Sequence, residues 1–369
     1  MKFKCFFSIP FCVFAAGIYF PASVQVSDYW KDKTSKQGNV TIIKNLKEPF
    51  FKNDLFLLKE EIAIGGKSAP PEETFSLIGD ICAGPDGRIY IADMKTSEIK
   101  IFDKSGKFIR TFGRKGQGPG EFLLLSKLSF CFSTNELFVQ DRSRGLFFDP
   151  NGNFLRSIPL RISDWAIKID ATGNLRGLGQ VRENNGEKEE LRFYDEKGKP
   201  EKLLAQTPIH DNLNPFQPFI AWCMRRDGTI VEGYSETYEF RIHNLDGTVA
   251  RQIFKDSDPI EVTSEWRDAF LKNRLLSTKP YRLPRYQPAY SWMFSDEKGW
   301  IFIGTLKKAS IPNRTIFDIF DQDGHYLNEV SWPMGACMIE NGKLYSIEID
   351  EDGYAVVRRF AMISKKDMN

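Results

Sequence analysis

The chain has 369 residues, 41% of them hydrophobic and 27% charged, with 51 Lys and Arg against 49 Asp and Glu for a net charge of +2. That composition supplies a sizeable core and excludes wholesale disorder, and so even a charge balance leaves no basic footprint for nucleic acid or an anionic membrane surface. Phe (31) outnumbers Tyr (12) and Trp (7), and Gly is 28, which without any long helical pattern points to an all-β fold.

The chain opens with Lys2 and Lys4 before an apolar run from Cys5 to Phe20, followed by Pro21, Ala22 and Ser23. A basic start, a short apolar run and small residues read as a secretory signal over residues 1–25. The run is shorter than the roughly 20 residues a membrane span needs. The expected product is exported, periplasmic or extracellular, with no transmembrane span after signal removal. Residues 26–39 are polar, carry Lys31, Lys33 and Lys36, and read as a flexible leader. The folded domain is expected over 40–369, starting with the strand-like VTIIKNL.

A repeat follows. Residues 80–113 give an apolar strand, a Pro-Asp-Gly turn, the strand RIYIAD, the strand EIKIFD, a Ser-Gly turn and the strand KFIRTFG. Four short strands joined by tight turns make one unit. The same order recurs over 128–160, 166–205, 220–254 and 291–332, and a sixth unit over 335–363 stops one strand short. Six such units predict a six-bladed β-propeller with four-stranded blades. LFLLKEEIAIG, residues 55–65, looks like KFIRTFG. It is expected to supply the missing outer strand of the last blade, closing the ring and removing its open edge.

DGRIYIAD, EIKIFDKSGKFIRTFG and RKGQGPGEF together resemble the repeat of the NHL family of six-bladed propellers. The opening GNVTIIKNLKEP and the layout are similar to exported bacterial propellers of the TolB-like type, over about residues 38–365. The resemblance implies the fold. It does not imply one activity, because binding proteins, lactonases and lyases share this architecture.

Cys82, Cys131, Cys223 and Cys337 each stand five residues before the first-turn landmark of their unit, at Gly87, Glu136, Gly228 and Gly342. They therefore share one site on the innermost strand, where a cysteine behaves as a small buried hydrophobe. Equivalent sites on different blades lie beyond the ~7 Å Cα limit for a bridge, so free thiols are expected and a four-thiol metal site is not. His210, His243 and His325 lie on a linker and on outer strands, which disfavours a histidine-based metal or nucleophile. GRKGQGPGEF lacks the Gly-Lys-Ser/Thr ending of a phosphate loop and reads as a connector. The Asp-Gly, Asn-Gly and Lys-Gly pairs are hairpin chemistry.

Residues 255–290 interrupt the repeat. Thr263 or Ser264 can cap a short helix with Trp266, Phe270, Leu271 and Leu275 on one face. KPYRLPRYQP then runs extended, with Lys279, Arg282 and Arg285 alternating with Tyr281 and Tyr286.

These readings converge on an exported propeller that binds a protein or small ligand at the channel mouth, monomeric, with no cofactor, no metal and no evident catalysis. Its candidate contacts are Trp165, Trp222, Arg225, Arg226 and Trp292 on inner strands, plus Tyr281 and Arg282 of the insertion. The alternative is a calcium-dependent lactonase-type propeller with hard oxygen ligands in the channel. Its nearest candidates are Asp80 and Asp164.

Overall fold

Glycines at positive φ cut this chain into short strands, and one carboxylate geometry recurs at the cuts. Asp103 Oδ1 accepts the amides of Ser105 and Lys107 at 2.8 and 3.0 Å, and Gly106 closes the turn at φ +87°. Asp149, Asp170, Asp195, Asp296, Asp321 and Asp350 do the same for the amides two and four residues on. The aspartate three residues ahead of the glycine therefore caps each of these turns, and the glycine takes the left-handed backbone that other residues resist.

The computed structural model describes residues 29–365 apart from residue 32 and the stretches 184–185, 209–213, 215 and 274–282. The expected signal segment, Tyr281, Arg282 and His210 lie outside the described residues.

The first strands are β1 (Thr34–Gln37), β2 (Val40–Asn45) and β3 (Phe56–Gly65). Blade one holds β4 (Ile78–Ala83), β5 (Ile89–Asp93), β6 (Glu98–Phe102) and β7 (Phe108–Phe112). Blade two holds β8 (Leu125–Cys131), β9 (Glu136–Asp141), β10 (Arg144–Phe148) and β11 (Phe154–Pro159). Blade three holds β12 (Asp164–Ile169), β13 (Leu175–Glu183), β14 (Gly186–Tyr194) and β15 (Pro200–Pro208). Blade four holds β16 (Ile220–Met224), β17 (Ile230–Tyr234), β18 (Glu239–His243) and β19 (Val249–Lys255). The helix α1 (Ser264–Asn273) follows, then blade five with β20 (Trp292–Ser295), β21 (Ile301–Gly304), β22 (Arg314–Phe320) and β23 (Tyr326–Pro333). Blade six holds β24 (Ala336–Glu340), β25 (Lys343–Ile349) and β26 (Ala355–Ser364), and β3 completes it.

The ring closure matches the sequence reading. β3 pairs antiparallel with β26 from Val356↔Gly65 to Ser364↔Phe56. Burial peaks in the middle strands of blade one. All five residues of β5 are buried, whereas Phe112 alone of β7 is. Middle strands such as IYIAD and IFIG are covered on both faces by neighbouring blades and read as continuous apolar runs, while the outermost strands of blades one to three are mostly exposed or half-buried.

Within the stretch expected as a leader, residues 34–37 form a strand. β1 forms a hairpin with β2, and β2 adds in parallel to β19, so blade four has six strands. Trp30 supplies the reason: it is buried against Tyr29, Phe50 and His325. Its Nε1 donates to Asn45 Oδ1 at 3.0 Å. Beyond β2 the segment crosses blade five, where Phe50 and Phe51 donate to the carbonyls of Tyr326 and Leu327. It then enters blade six as β3.

Blades four and five are also tied by a buried charge. Lys255 Nζ lies 3.4 Å from Asp318, whose two oxygens accept the hydroxyls of Tyr238 (2.5 Å) and Tyr326 (2.8 Å). Burial lowers the Lys255 pKa against the pull of Asp318.

Candidate functional site

The inner strands β4, β8, β12, β16, β20 and β24 line a central cavity of about 430 Å³. Each is the first strand of its blade, so all six run the same way along the channel. Their first residues gather at one mouth, here the upper, and their turn residues at the other. Connections between blades, the described ends of the 255–290 stretch among them, lie on the upper face.

The upper half carries the aromatic candidates. Trp165, the second residue of β12, lines the cavity and is 47% exposed. Trp292 also lines it but is held: its Nε1 donates to the Ala336 carbonyl at 3.3 Å and its ring stands edge-on to Phe317. Trp222 lines the cavity and packs against the apolar cluster between blades three and four. Leu77, Leu124, Ile162 and Met334 stand one or two residues ahead of β4, β8, β12 and β24, each more than half exposed. The upper rim is thus apolar on four blades. At the insertion, Thr263 Oγ1 accepts the Trp266 amide and caps α1. The Trp266 ring meets Phe216, on the connector into blade four, at 4.2 Å. Val262 and Gln287 bond across to Arg285 and Ile260, so the insertion stands on a short antiparallel stem.

The middle of the channel wall holds three of the thiols, Cys82, Cys223 and Cys337, whereas Cys131, expected at the same site, is buried between blades two and three because it stands two residues further along its strand. All four are free, on β4, β8, β16 and β24. Burial pushes Cys223 and Cys337 up to about 12. At the equivalent position of blade three stands Lys168, which lines the cavity and is half-buried.

The lower mouth is crossed by one side chain. Arg226, in the first turn of blade four, donates to Glu340 of blade six at 2.5 Å. Its guanidinium lies 4.2 Å from the ring centre of Phe132 in blade two. Three alternate blades therefore meet through one residue. Burial raises the Glu340 carboxyl, with Arg226 pulling the other way. Asp296, beside Glu297, is pushed up to about 6 by burial. Arg225 is buried and donates to the Gln322 carbonyl of blade five at 2.8 Å. It is a tie between blades.

The sequence candidates thus divide. Trp165, Trp222, Trp292, Arg225 and Arg226 all line one cavity, at two different depths. Asp164 is fully buried and held by Arg161 at 2.8 Å. Asp80 accepts the Ile81 amide at 3.1 Å and the Leu128 amide at 3.0 Å. Among the described residues one group of three metal-ligand types converges, Asp321, Asp323 and His325. It belongs to a blade-five hairpin turn. Asp321 caps the turn and bonds His325 Nδ1 at 2.8 Å, and Asp323 pairs with Arg251 at 2.6 Å. Sequence reading missed Lys127, Lys168, Phe132, Glu297 and Glu340, all on the cavity wall. The signal for Lys168 was present: it stands five residues before Gly173, at the cysteine position of the repeat.

A family model described as a 6-bladed beta-propeller, DUF5128, matches residues 72–198, which span blades one and two and most of blade three. No curated protein matches the chain. Among solved structures, a protein described as exported, from Bacteroides fragilis, is 14% identical with a TM-score of 0.52, covering 88% of this chain and 100% of its own. A member of the DUF4221 family from Bacteroides vulgatus is 12% identical with a TM-score of 0.50, covering 84% of this chain and 98% of its own. Likeness at this identity establishes the six-bladed fold and leaves activity to the residues of the channel.

Proposed function

We propose that this chain is an exported, monomeric binding propeller of the NHL-repeat and TolB-like kind, which takes its ligand into the central channel through the upper mouth. One observation carries the reading. A cavity of about 430 Å³ opens beside the exposed ring of Trp165 and an apolar rim, while Arg226 crosses the opposite end. Pockets of this size suit small ligands, and exposed tryptophan is a frequent energetic anchor of binding. The basic, then apolar, N-terminal sequence supports export, and no helix among the described residues is long and apolar enough to cross a membrane.

The test is a ligand screen by thermal shift, followed by Trp165→Ala. The variant should melt within about 1 °C of the parent, because exposed substitutions cost within about ±0.5 kcal/mol. It should lose most of any ligand-induced shift. Undiminished binding by Trp165→Ala and Trp222→Ala together would refute the channel as the site.

A further inference from the structure

Two lysines of the channel wall stand without a bonded partner among the described residues. Lys127 and Lys168 both line the cavity and are half-buried. Among the described residues neither Nζ makes a hydrogen bond or an ion pair. The carboxylates that share the wall each bond an amide or an arginine through at least one oxygen, while Asp170 Oδ2 and Glu297 Oε2 take no hydrogen bond. Asp80 takes two amides. Asp170 and Asp296 cap turns. Glu297 takes the Gly342 amide, and Glu340 takes Arg226.

The repeat sharpens the point. At the level where blades one, four and six place Cys82, Cys223 and Cys337 and blade five places Phe294, blade three places a lysine. The Lys168 charge acts on Cys82, Cys223 and Cys337, on blades one, four and six. Lys127 acts on Cys337 as well. A half-desolvated ammonium without a partner is a cost that an anion can offset. Apolar rim above and cation below describe one kind of occupant.

We propose that Lys127 and Lys168 form an anion seat in the channel, and that the ligand is a flat apolar molecule bearing a carboxylate or phosphate. This rests on the channel-binding function above and names its ligand class. The ring lies against Trp165 and Trp222, and the oxyanion descends to the lysines.

Three matched probes test it by titration calorimetry on the purified chain: 2-naphthoate, 2-naphthyl phosphate and the uncharged 2-naphthamide. At least one acid should bind tenfold or more tightly than the amide, since hydrogen bonds to charged groups are worth about 1.5–3 kcal/mol. Which acid leads tells a carboxylate ligand from a phosphate, and either order supports the seat. Lys168→Met and Lys127→Met should each weaken the acids about tenfold and leave the amide unchanged. The preference should also shrink as salt is raised. Equal binding of acids and amide by the parent chain overturns the anion seat but leaves channel binding standing. So does a preference that survives in the double variant. Binding of none of the three overturns both. The parent comparison needs no variant to fold.

Discussion

Asn45 is the residue through which the N-terminal segment grips the ring, and its removal should be costly. The side chain is 2% exposed and makes four hydrogen bonds. Oδ1 accepts Trp30 Nε1 at 3.0 Å and the Tyr326 amide at 2.8 Å. Nδ2 donates to the carbonyls of Gly324 at 2.9 Å and Phe254 at 3.3 Å. Asn45→Ala removes all four and strands the Trp30 and Tyr326 donors away from water. At about 1 kcal/mol per bond, with the larger penalty for buried orphans, the loss should be about 3–5 kcal/mol. In a chain this long each kcal/mol moves Tm by about 1.5 °C, so the melt should fall by about 5–7 °C. Asn45→Asp keeps the acceptor but faces two carbonyls with a carboxylate, and should do no better. The exposed neighbour Lys44→Ala should change stability within about ±0.5 kcal/mol. Urea unfolding followed by tryptophan fluorescence measures all three. A loss below about 1 kcal/mol for Asn45→Ala would refute the reasoning that this segment is fastened by its buried amide.

Lys255→Met should destabilise by about 3–5 kcal/mol in urea melts, because Asp318 is left buried without its cation; a neutral outcome would mean the two tyrosine hydroxyls suffice. Asp296 has a folded pKa raised above its ordinary value, to about 6, so the folded state holds the proton more tightly. Stability should therefore fall as pH rises from about 4 to about 6. Asp296→Asn keeps the turn bonds and should remove that slope, gaining about 1–3 kcal/mol at pH 7; an unchanged pH profile would contradict the assignment. Cys82, Cys131, Cys223 and Cys337 should resist a thiol reagent in the native protein and all react in denaturant, with reducing and non-reducing gels identical. A bridge between any two would show as a missing thiol. Deleting residues 56–65 should leave β26 with a bare edge and cause aggregation on size exclusion; a soluble monomer with the parent melt would contradict the closure.

Blades were legible because turn chemistry repeats. Five of the six first turns end in glycine after a polar residue, and middle strands such as IYIAD and IFIG are apolar throughout, so unit counting and the short sixth unit revealed both the blade number and the role of residues 55–65. The partner of β2 was not legible. VTIIKN reads as a strand, but its parallel pairing with β19 joins residues about two hundred apart and needs no turn of its own. Trp30 looked like part of a polar leader because its burial depends on rings and an amide far along the chain. In the channel, inner-strand position sufficed to find Trp165, Trp222 and Trp292. The meeting of Arg226, Glu340 and Phe132 did not follow, since it joins alternate blades across the axis and no local spacing encodes it.

The clasp between β3 and β26 also sets an order of events. Arg358 and Glu60, which meet across it at 2.8 Å, are 298 residues apart in sequence. Such pairing is the last and slowest contact to form in a growing or refolding chain. Until Ala355–Ser364 has been synthesised, β3 has no partner and blade six no outer strand. Loss of the last strand therefore does not leave most of a propeller. It leaves an open arc, with an unpaired edge at each end and no enclosed channel to hold a ligand.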